Sequence, residues 1–151
     1  MSSGRILVVD DNPTNLKLAS QVLEFDGYQV LQAVDAEEAQ KILQTNSLDL
    51  ILMDIALPGM DGLTLTRLLK AQEKTRHILI VALTAFAMKG DNEKARAAGC
   101  DGYITKPIDT RKLGDLMAGY LGRPRAGILT TRSSTKMYFD RLTGVRVYSP
   151  A

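Results

Sequence analysis

Residues 50–62 read LILMDIALPGMDG, and this stretch decides the fold class. It begins with an uninterrupted apolar run, Leu50 to Met53, which is typical of a strand buried on both faces of a parallel sheet. An acidic residue, Asp54, follows the run directly, and Gly62 opens a stretch with helical spacing. The segment therefore predicts a central strand of an α/β sheet with a carboxylate at its carboxyl end.

The same alternation of short apolar runs and helical stretches extends over residues 5–121. The predicted strands are Ile6–Val9, Tyr28–Ala33, Leu50–Met53, Ile78–Leu83 and Tyr103–Thr105. Five strands in strict alternation with five helices predict a doubly wound parallel sheet. Among the possible strand orders, which the sequence does not specify, we favour the flavodoxin-like order 2-1-3-4-5.

Capping signals set the expected ends of the helices. Asn12 followed by Pro13 predicts the start of the first helix, and Gly27 its end. Asp35 with Glu38 has the pattern of a capping box at the start of the second. The other predicted helices run from about Gly62 to Ala71 and from about Asp91 to Ala98, and the fifth starts after Asp109.

Charge divides the chain unevenly. Residues 1–122 carry 13 basic and 16 acidic residues, a net charge of −3, whereas residues 123–151 carry 6 and 1, a net charge of +5. We therefore expect one domain at 1–122 and a basic C-terminal extension at 123–151. The extension is too short for a winged-helix domain; a flexible end, a hairpin, a cloning remnant, or a dimerisation or DNA-binding arm all remain open, with nucleic-acid contact the least favoured.

The remaining bulk features favour a cytoplasmic protein without a membrane span. The apolar run after Arg5 is far too short for a signal peptide or a transmembrane helix. A single cysteine, Cys100, fits a reducing compartment and is expected to be a small buried residue. The lone histidine, His77, is expected to lie exposed before the fourth strand.

Polar residues follow four of the five predicted strands. Asp10 and Asp11 follow the first strand, Asp54 the third, Thr84 the fourth and Lys106 the fifth. Taken singly, such residues are more often turn residues, helix caps, strand ends or solvated lysines. As a set they are informative, because sites in these sheets form at the carboxyl ends of strands and the favoured order makes these four strands contiguous.

Three converging carboxylates require a cation, because each charge raises the pKa of its neighbours. Oxygen ligands without histidine or cysteine favour Mg²⁺ over zinc. A carboxylate beside Mg²⁺ and an ammonium group is also a competent nucleophile toward phosphorus, and Lys106 and Thr84 are placed to contact phosphoryl oxygens. The residues thus predict an aspartyl-phosphate site.

Four segments together resemble the receiver domain of two-component response regulators, in particular the short stand-alone type. They are ILVVDDN at 6–12, LILMDIALPGMDG at 50–62, ALTA at 82–85 and GCDGYITKP at 99–107. The resemblance covers about four fifths of the chain, residues 5–121, and the joint pattern is far more specific than any single segment.

The resemblance implies a role for each of these positions. Asp54 would accept the phosphoryl group, with Mg²⁺ held by Asp11, Asp54 and the backbone carbonyl of Ala56, and with Asp10 acting through water. Thr84 and Lys106 would bind the phosphoryl group. It also implies a Tyr103 rotamer change coupled to Thr84, and a cis peptide before Pro107.

The implied function is a phosphorylation-dependent signalling switch with no substrate turnover beyond its own phosphotransfer and dephosphorylation. The expected partners are a sensor histidine kinase or a histidine phosphotransfer protein and a downstream target protein, with the chain a monomer or a weak homodimer.

Two other functions use a related fold. A haloacid-dehalogenase-like phosphohydrolase would place its acids as Asp-x-Asp, but Asp10 and Asp11 are adjacent and no cap domain is available. A flavodoxin-like carrier would need a Ser/Thr/Gly-rich phosphate loop after the first strand, and none is present.

The side chains at two further positions bear on the lifetime of the phosphorylated state. Ala56 and Phe86, each two residues past a site residue, would border the path of the attacking water. Neither offers a polar group to orient that water, and Phe86 would exclude it. We therefore expect slow self-dephosphorylation.

Overall fold

A computed structural model describes residues 4–84 and 89–121, without the side chains of residues 89–92. The strands and helices alternate strictly along the chain, as the sequence predicts. The strands are β1 (Arg5–Val9), β2 (Gln29–Ala33), β3 (Leu50–Asp54), β4 (Leu79–Thr84) and β5 (Gly102–Thr105). The helices are α1 (Pro13–Phe25), α2 (Ala36–Thr45), α3 (Gly62–Ala71), α4 (Lys89–Ala98) and α5 (Thr110–Tyr120).

The five strands form one parallel sheet in the order β2-β1-β3-β4-β5. This is the predicted doubly wound arrangement, and it places β3 in the centre with all five of its residues buried. On the β1 side the ladder ends at the pair Val9 and Met53, whereas on the β4 side it continues to Asp54 and Leu83. The last residue of β3 therefore has a sheet partner on one side only.

Alternating side chains of the strands supply two separate apolar cores, one on each face of the sheet. Ile51 and Met53 of β3 pack with the helices α2, α3 and α4. Leu50 and Leu52 pack with α1 and α5 on the other face. Burial on both faces explains why the strands read as continuous apolar runs.

The predicted caps lie at the observed helix ends. Asn12 Oδ1 accepts hydrogen bonds from the backbone amides of Thr14 and Asn15, with Pro13 as the first residue of α1. Asp35 Oδ1 accepts from the Glu38 amide at 2.8 Å, while Glu38 Oε1 accepts from the amide of Val34. This capping box thus closes one residue before its usual position.

Lys70 joins three segments at the end of the sheet opposite the carboxyl ends of the strands. Its Nζ, near the end of α3, donates to the carbonyls of Arg76 and Ile78 and to Asp101 Oδ2, at 3.2, 2.7 and 3.0 Å. Asp101 Oδ2 also accepts from the amide of Ile80. These bonds fix the end of α3 to the start of β4 and to the loop before β5.

None of the helices in the described ranges 4–84 and 89–121 combines the length and the hydrophobicity needed to cross a bilayer. Cys100 is 4% exposed, which confirms its predicted burial, and His77 is exposed before β4, as predicted.

Candidate functional site

The strand order brings the predicted site residues together at the carboxyl ends of the strands. Asp10 directly follows β1, Asp54 and Thr84 end β3 and β4, and Lys106 directly follows β5. All four strands are contiguous. Asp10, Asp54 and Thr84 are at most 3% exposed, so this end of the sheet carries a buried polar cluster and not a solvated loop surface.

The Lys106 ammonium group lies between two buried carboxylates. Its Nζ is 3.0 Å from Asp54 Oδ2, to which it donates a hydrogen bond, and 3.3 Å from Asp10 Oδ2. The Lys106 side chain is 19% exposed, against 4% and 1% for the two carboxylate side chains. One lysine therefore faces two negative charges in a site with little solvent.

Backbone amides fix the other oxygen of each buried carboxylate. Asp10 Oδ1 accepts a hydrogen bond from the amide of Asn12, and Asp54 Oδ1 accepts one from the amide of Ala56, both at 2.9 Å. Both donors lie two residues after the aspartate, so in each loop the backbone folds back toward the aspartate side chain. The second oxygens, Oδ2 in both cases, point toward Lys106.

Asp11 completes a group of three carboxylates. One carboxylate oxygen from each of Asp10, Asp11 and Asp54 lies within 4.8 Å of the others. Asp11 is exposed while its two neighbours are buried, so the cluster opens to solvent on the Asp11 side. Such a set of oxygen ligands suits Mg²⁺, which retains several water ligands.

An orphaned oxygen supports the fit of a cation at this place. Asp10 Oδ2 is buried and accepts no hydrogen bond from the described residues; its close charged neighbour there is Lys106. A buried carboxylate oxygen without a hydrogen-bond donor is costly, and Lys106, which donates its hydrogen bond to Asp54, offsets only part of that cost. The residues present therefore fit a divalent metal.

Burial and the oppositely charged neighbours act in opposite directions on the pKa values of the site. Burial raises the pKa of Asp10 above its ordinary value, and the Asp54 charge adds to the effect, while the Asn12 amide and the Lys106 charge oppose it. Burial alone would lower the pKa of Lys106, but its hydrogen bond to Asp54 and the two carboxylate charges outweigh this and raise it. Lys106 is thus a firmly protonated cation in the absence of metal.

Thr84 and Tyr103 lie on the same face of the sheet. Thr84 is opposite Thr105 in the β4–β5 ladder, and Tyr103 is opposite Ala82, so the two side chains are diagonal neighbours. Tyr103 is partly buried against the core on the α3 and α4 side. The peptide bond between Lys106 and Pro107 is cis.

The family of the chain follows from a comparison with protein-family models. The model of the response regulator receiver domain matches residues 6–118, which include β1 from its second residue, the other four strands, the start of each helix and all the residues of the cluster. The chain belongs to the response regulator receiver family. A receiver domain is a phosphorylation-dependent switch of two-component signalling, and nothing in the comparisons favours the phosphohydrolase or the carrier as an alternative.

Known relatives agree with this assignment. The receiver domain is 43% identical to the polar-differentiation response regulator DivK of Brucella ovis over 117 residues, which are 78% of this chain and 95% of that protein. It also resembles the receiver domain of a sensor histidine kinase from Pseudomonas aeruginosa, solved with a magnesium ion coordinated in its active-site cleft. That match has 37% identity and a TM-score of 0.72, and it covers 79% of this chain and 98% of the other.

A further similar structure is a CheY-like response regulator receiver domain from Methanospirillum hungatei. It is 34% identical, with a TM-score of 0.71, over 78% of this chain and 93% of that one.

Some features predicted from the sequence fall outside the described residues. These are Phe86 and the whole basic extension, residues 123–151.

The sequence pattern assigned Gly62 only to a helix start, although this residue lies directly against the backbone of Asp54. Glycine at a helix start is a weak signal, because many helices begin with small residues without such a contact.

Proposed function

We propose that Asp54 is the phosphoacceptor of this receiver domain and that a phosphohistidine of a kinase or phosphotransfer protein is the donor. The observation that supports this most directly is the 3.0 Å contact between Asp54 Oδ2 and Lys106 Nζ inside a buried acidic cluster. Asp54 is the member of the cluster that is central in the sheet, and its carboxylate is held by both a cation and a backbone amide.

The chemistry follows from this arrangement. A carboxylate oxygen of Asp54 forms a bond to phosphorus while the bond between phosphorus and the donor nitrogen breaks, and the electron pair of that bond returns to the imidazole. Lys106 and the Thr84 hydroxyl are placed to stabilise the negative charge on the phosphoryl oxygens. The hydrogen bond from the Ala56 amide orients the Asp54 carboxylate before the reaction.

We propose Mg²⁺ as the cofactor, held by Asp11, Asp54 and the Ala56 carbonyl, with Asp10 contributing through water. When bound, it neutralises the phosphoryl oxygens and the carboxylates that would otherwise repel them. Lys106 alone offsets only part of the charge of three carboxylates, so the acceptance of phosphate should depend on the metal.

The expected output is a change in protein interactions in the cytoplasm, not the turnover of a substrate. Phosphate bound between Thr84 and Lys106 would draw Thr84 toward it, and Tyr103 would turn into the vacated space on the same face of the sheet. A two-state element of this kind lets a downstream protein distinguish the two forms.

The basic extension is proposed to be dispensable for phosphate acceptance. It follows α5 and lies beyond the family match, which ends at residue 118. Removing residues 123–151 should leave Mg²⁺-dependent labelling unchanged. A change in the oligomeric state or in salt-dependent DNA binding on truncation would instead identify the extension as a dimerisation or DNA-binding arm.

The test of the phosphoacceptor is Asp54→Asn with labelling by acetyl phosphate in Mg²⁺, read by intact mass and peptide mapping. The native chain should gain one phosphoryl group and the variant none. Asp35→Asn is the matched control, because it makes the same chemical change at a helix cap that asparagine can retain. Full labelling of Asp54→Asn would refute the assignment, and unlabelled Asp35→Asn would show that the assay reports folding and not the acceptor.

A further inference from the structure

The backbone of Asp54 is held on the α3 side by a residue without a side chain. A Cβ on Gly62 would lie 2.8 Å from Ile55 Cα and 3.0 Å from the Asp54 carbonyl carbon, and closer still to the Asp54 carbonyl oxygen. These neighbours are backbone atoms, so no rotamer change can relieve the contact. The first turn of α3 therefore rests directly on the end of β3 only because residue 62 is glycine.

The contact with Gly62 supports the backbone of residues 54 and 55 where β1 no longer pairs with β3. The β1–β3 pairing ends at Met53, so Asp54 and Ile55 are held on the sheet side by β4 alone, through the bond from the Ile55 amide to the Leu83 carbonyl. On the helix side, the Gly62 amide donates to the Ile55 carbonyl at 3.2 Å. The phosphoacceptor backbone is thus fixed between β4 and α3.

Helix α3 is itself firmly anchored. The buried Thr66 hydroxyl donates to the Gly62 carbonyl at 2.8 Å, and Leu65 and Leu69 are fully or almost fully buried in the core. At the far end, Lys70 fixes the helix to two other segments. Because α3 is anchored at both ends, a side chain at position 62 would act against the backbone of residues 54 and 55.

We propose that Gly62 is a positioning residue for the phosphoryl-transfer site. By allowing α3 to pack on the backbone of residues 54 and 55, it sets the Asp54 carboxylate and the Ala56 carbonyl at the correct distance from Asp10 and Asp11. The inference rests on the proposed function of Asp54. A side chain at position 62 should therefore weaken Mg²⁺ binding as well as phosphate acceptance.

The experiment compares Gly62→Ala with Gly99→Ala in the full chain. Gly99 has a left-handed φ of 106°, and a Cβ there would lie 2.9 Å from Lys70 Cγ, so its replacement also strains the fold but at the other end of the sheet. Mg²⁺ affinity is measured without a phosphodonor, from the backbone amide shifts of Asp54 and Ala56. The rate of labelling by acetyl phosphate and the melting temperature are measured on the same samples.

Both variants should melt at a lower temperature, but only Gly62→Ala should weaken Mg²⁺ binding and slow labelling, each by about tenfold or more. Gly99→Ala should stay within about twofold of the native chain. Equal Mg²⁺ affinity in Gly62→Ala and the native chain, or an equal loss in both variants, would overturn the inference. A native chain that binds no Mg²⁺ would overturn the proposed function and this inference with it.

A milder pair of variants covers the case in which Gly62→Ala does not fold. Asp61 Oδ1 caps α3 by accepting from the Thr64 amide at 2.8 Å. Asp61→Ala should loosen the first turn of α3 and weaken Mg²⁺ binding several-fold, whereas Asp61→Asn removes the same charge but keeps the cap. Equal affinity in these two variants would show that the first turn of α3 does not position the site.

Discussion

Lys106 Nζ contacts Asp54 Oδ2 at 3.0 Å across the width of β4, because Lys106 follows β5 and Asp54 ends β3. The same ammonium group reaches Asp10 Oδ2, at the end of β1, at 3.3 Å. One flexible side chain that follows the last strand thus pairs with two buried carboxylates and offsets part of their negative charge. The metal-free site depends on this contact.

The first prediction is that Lys106→Met makes stability depend on metal. Without the cation, Asp10 and Asp54 face each other in a buried site, and the free energy of unfolding in chelator should fall by about 3 kcal/mol. Millimolar Mg²⁺ should restore much of it. The measurement is urea unfolding with and without Mg²⁺.

Lys41→Met is the matched control for this prediction. Lys41 is 71% exposed and lies 3.9 Å from Glu37, so its loss should change the free energy of unfolding by less than about 0.5 kcal/mol, with no effect of metal. A similar loss in the two variants, or no recovery of Lys106→Met in Mg²⁺, would contradict the prediction.

The second prediction separates phosphate acceptance from the switch. Thr84→Ala should still be phosphorylated. The chemical shifts around Tyr103 should respond only weakly, because the variant lacks the hydroxyl that moves toward the phosphate. Thr105→Ala is the control, since Thr105 is opposite Thr84 in the ladder. If native shifts near Tyr103 do not change on phosphorylation, or if Thr105→Ala is equally impaired, the coupling of Thr84 and Tyr103 is wrong.

The apolar pattern predicted the strands to within one residue at each end, and the deviations have a physical reason. Hydrophobicity ends at Met53, but the backbone of β3 continues to Asp54, which pairs with Leu83 although its side chain is polar. Helix α4 begins at Lys89, two residues before the predicted start. The sequence pattern missed these two residues because Lys89 and Gly90 add nothing to an apolar stripe. The bounds of α3, set by Gly62 and Ala71, are as predicted.

The site residues were predictable as a set, but their contacts were not. Each one ends or directly follows a strand, so the favoured strand order places them together. The sequence did not specify that order, and the structure confirms it. The Gly62 contact depends on how closely a helix approaches a strand. The three acceptors of Lys70 lie 6, 8 and 31 residues away, a spacing that no local pattern reveals.

The third prediction concerns the pH dependence of stability. Burial raises the pKa of the Cys100 thiol from 9.0 to about 11. The unfolded thiol ionises first as pH rises, so the stability that the neutral thiol contributes is complete below about pH 9 and is lost on approaching pH 11. Relative to Cys100→Ala, the native chain should lose about 2 to 3 kcal/mol of unfolding free energy over this range.

Comparison with Cys100→Ala removes the contributions of tyrosines and lysines, which titrate in both chains. Below pH 9 the native thiol should also resist maleimide until urea unfolds the protein, since it is 4% exposed. A constant difference between the two chains from about pH 8 to about pH 11, or rapid labelling of the native thiol, would contradict the burial argument.

The last prediction is slow loss of phosphate. Ala56 is exposed in the loop after β3, and its amide donates to Asp54 Oδ1, so the residue adjoins Asp54, and its methyl side chain has no group that could orient water. Phe86, which lies outside the described residues, is expected to add an apolar barrier. The phosphorylated native chain should therefore persist well beyond seconds after donor removal in Mg²⁺ with no partner present.

Ala56→Asn combined with Phe86→Glu should accelerate this decay about tenfold to a hundredfold, because an oriented water is worth about 1.4 to 3 kcal/mol in the barrier. Ala56→Val combined with Phe86→Leu is the matched control, since it changes the bulk at both positions without adding a polar group. Decay of the native chain within seconds, or equal acceleration in the polar and apolar double variants, would show that water orientation at these two positions does not set the lifetime.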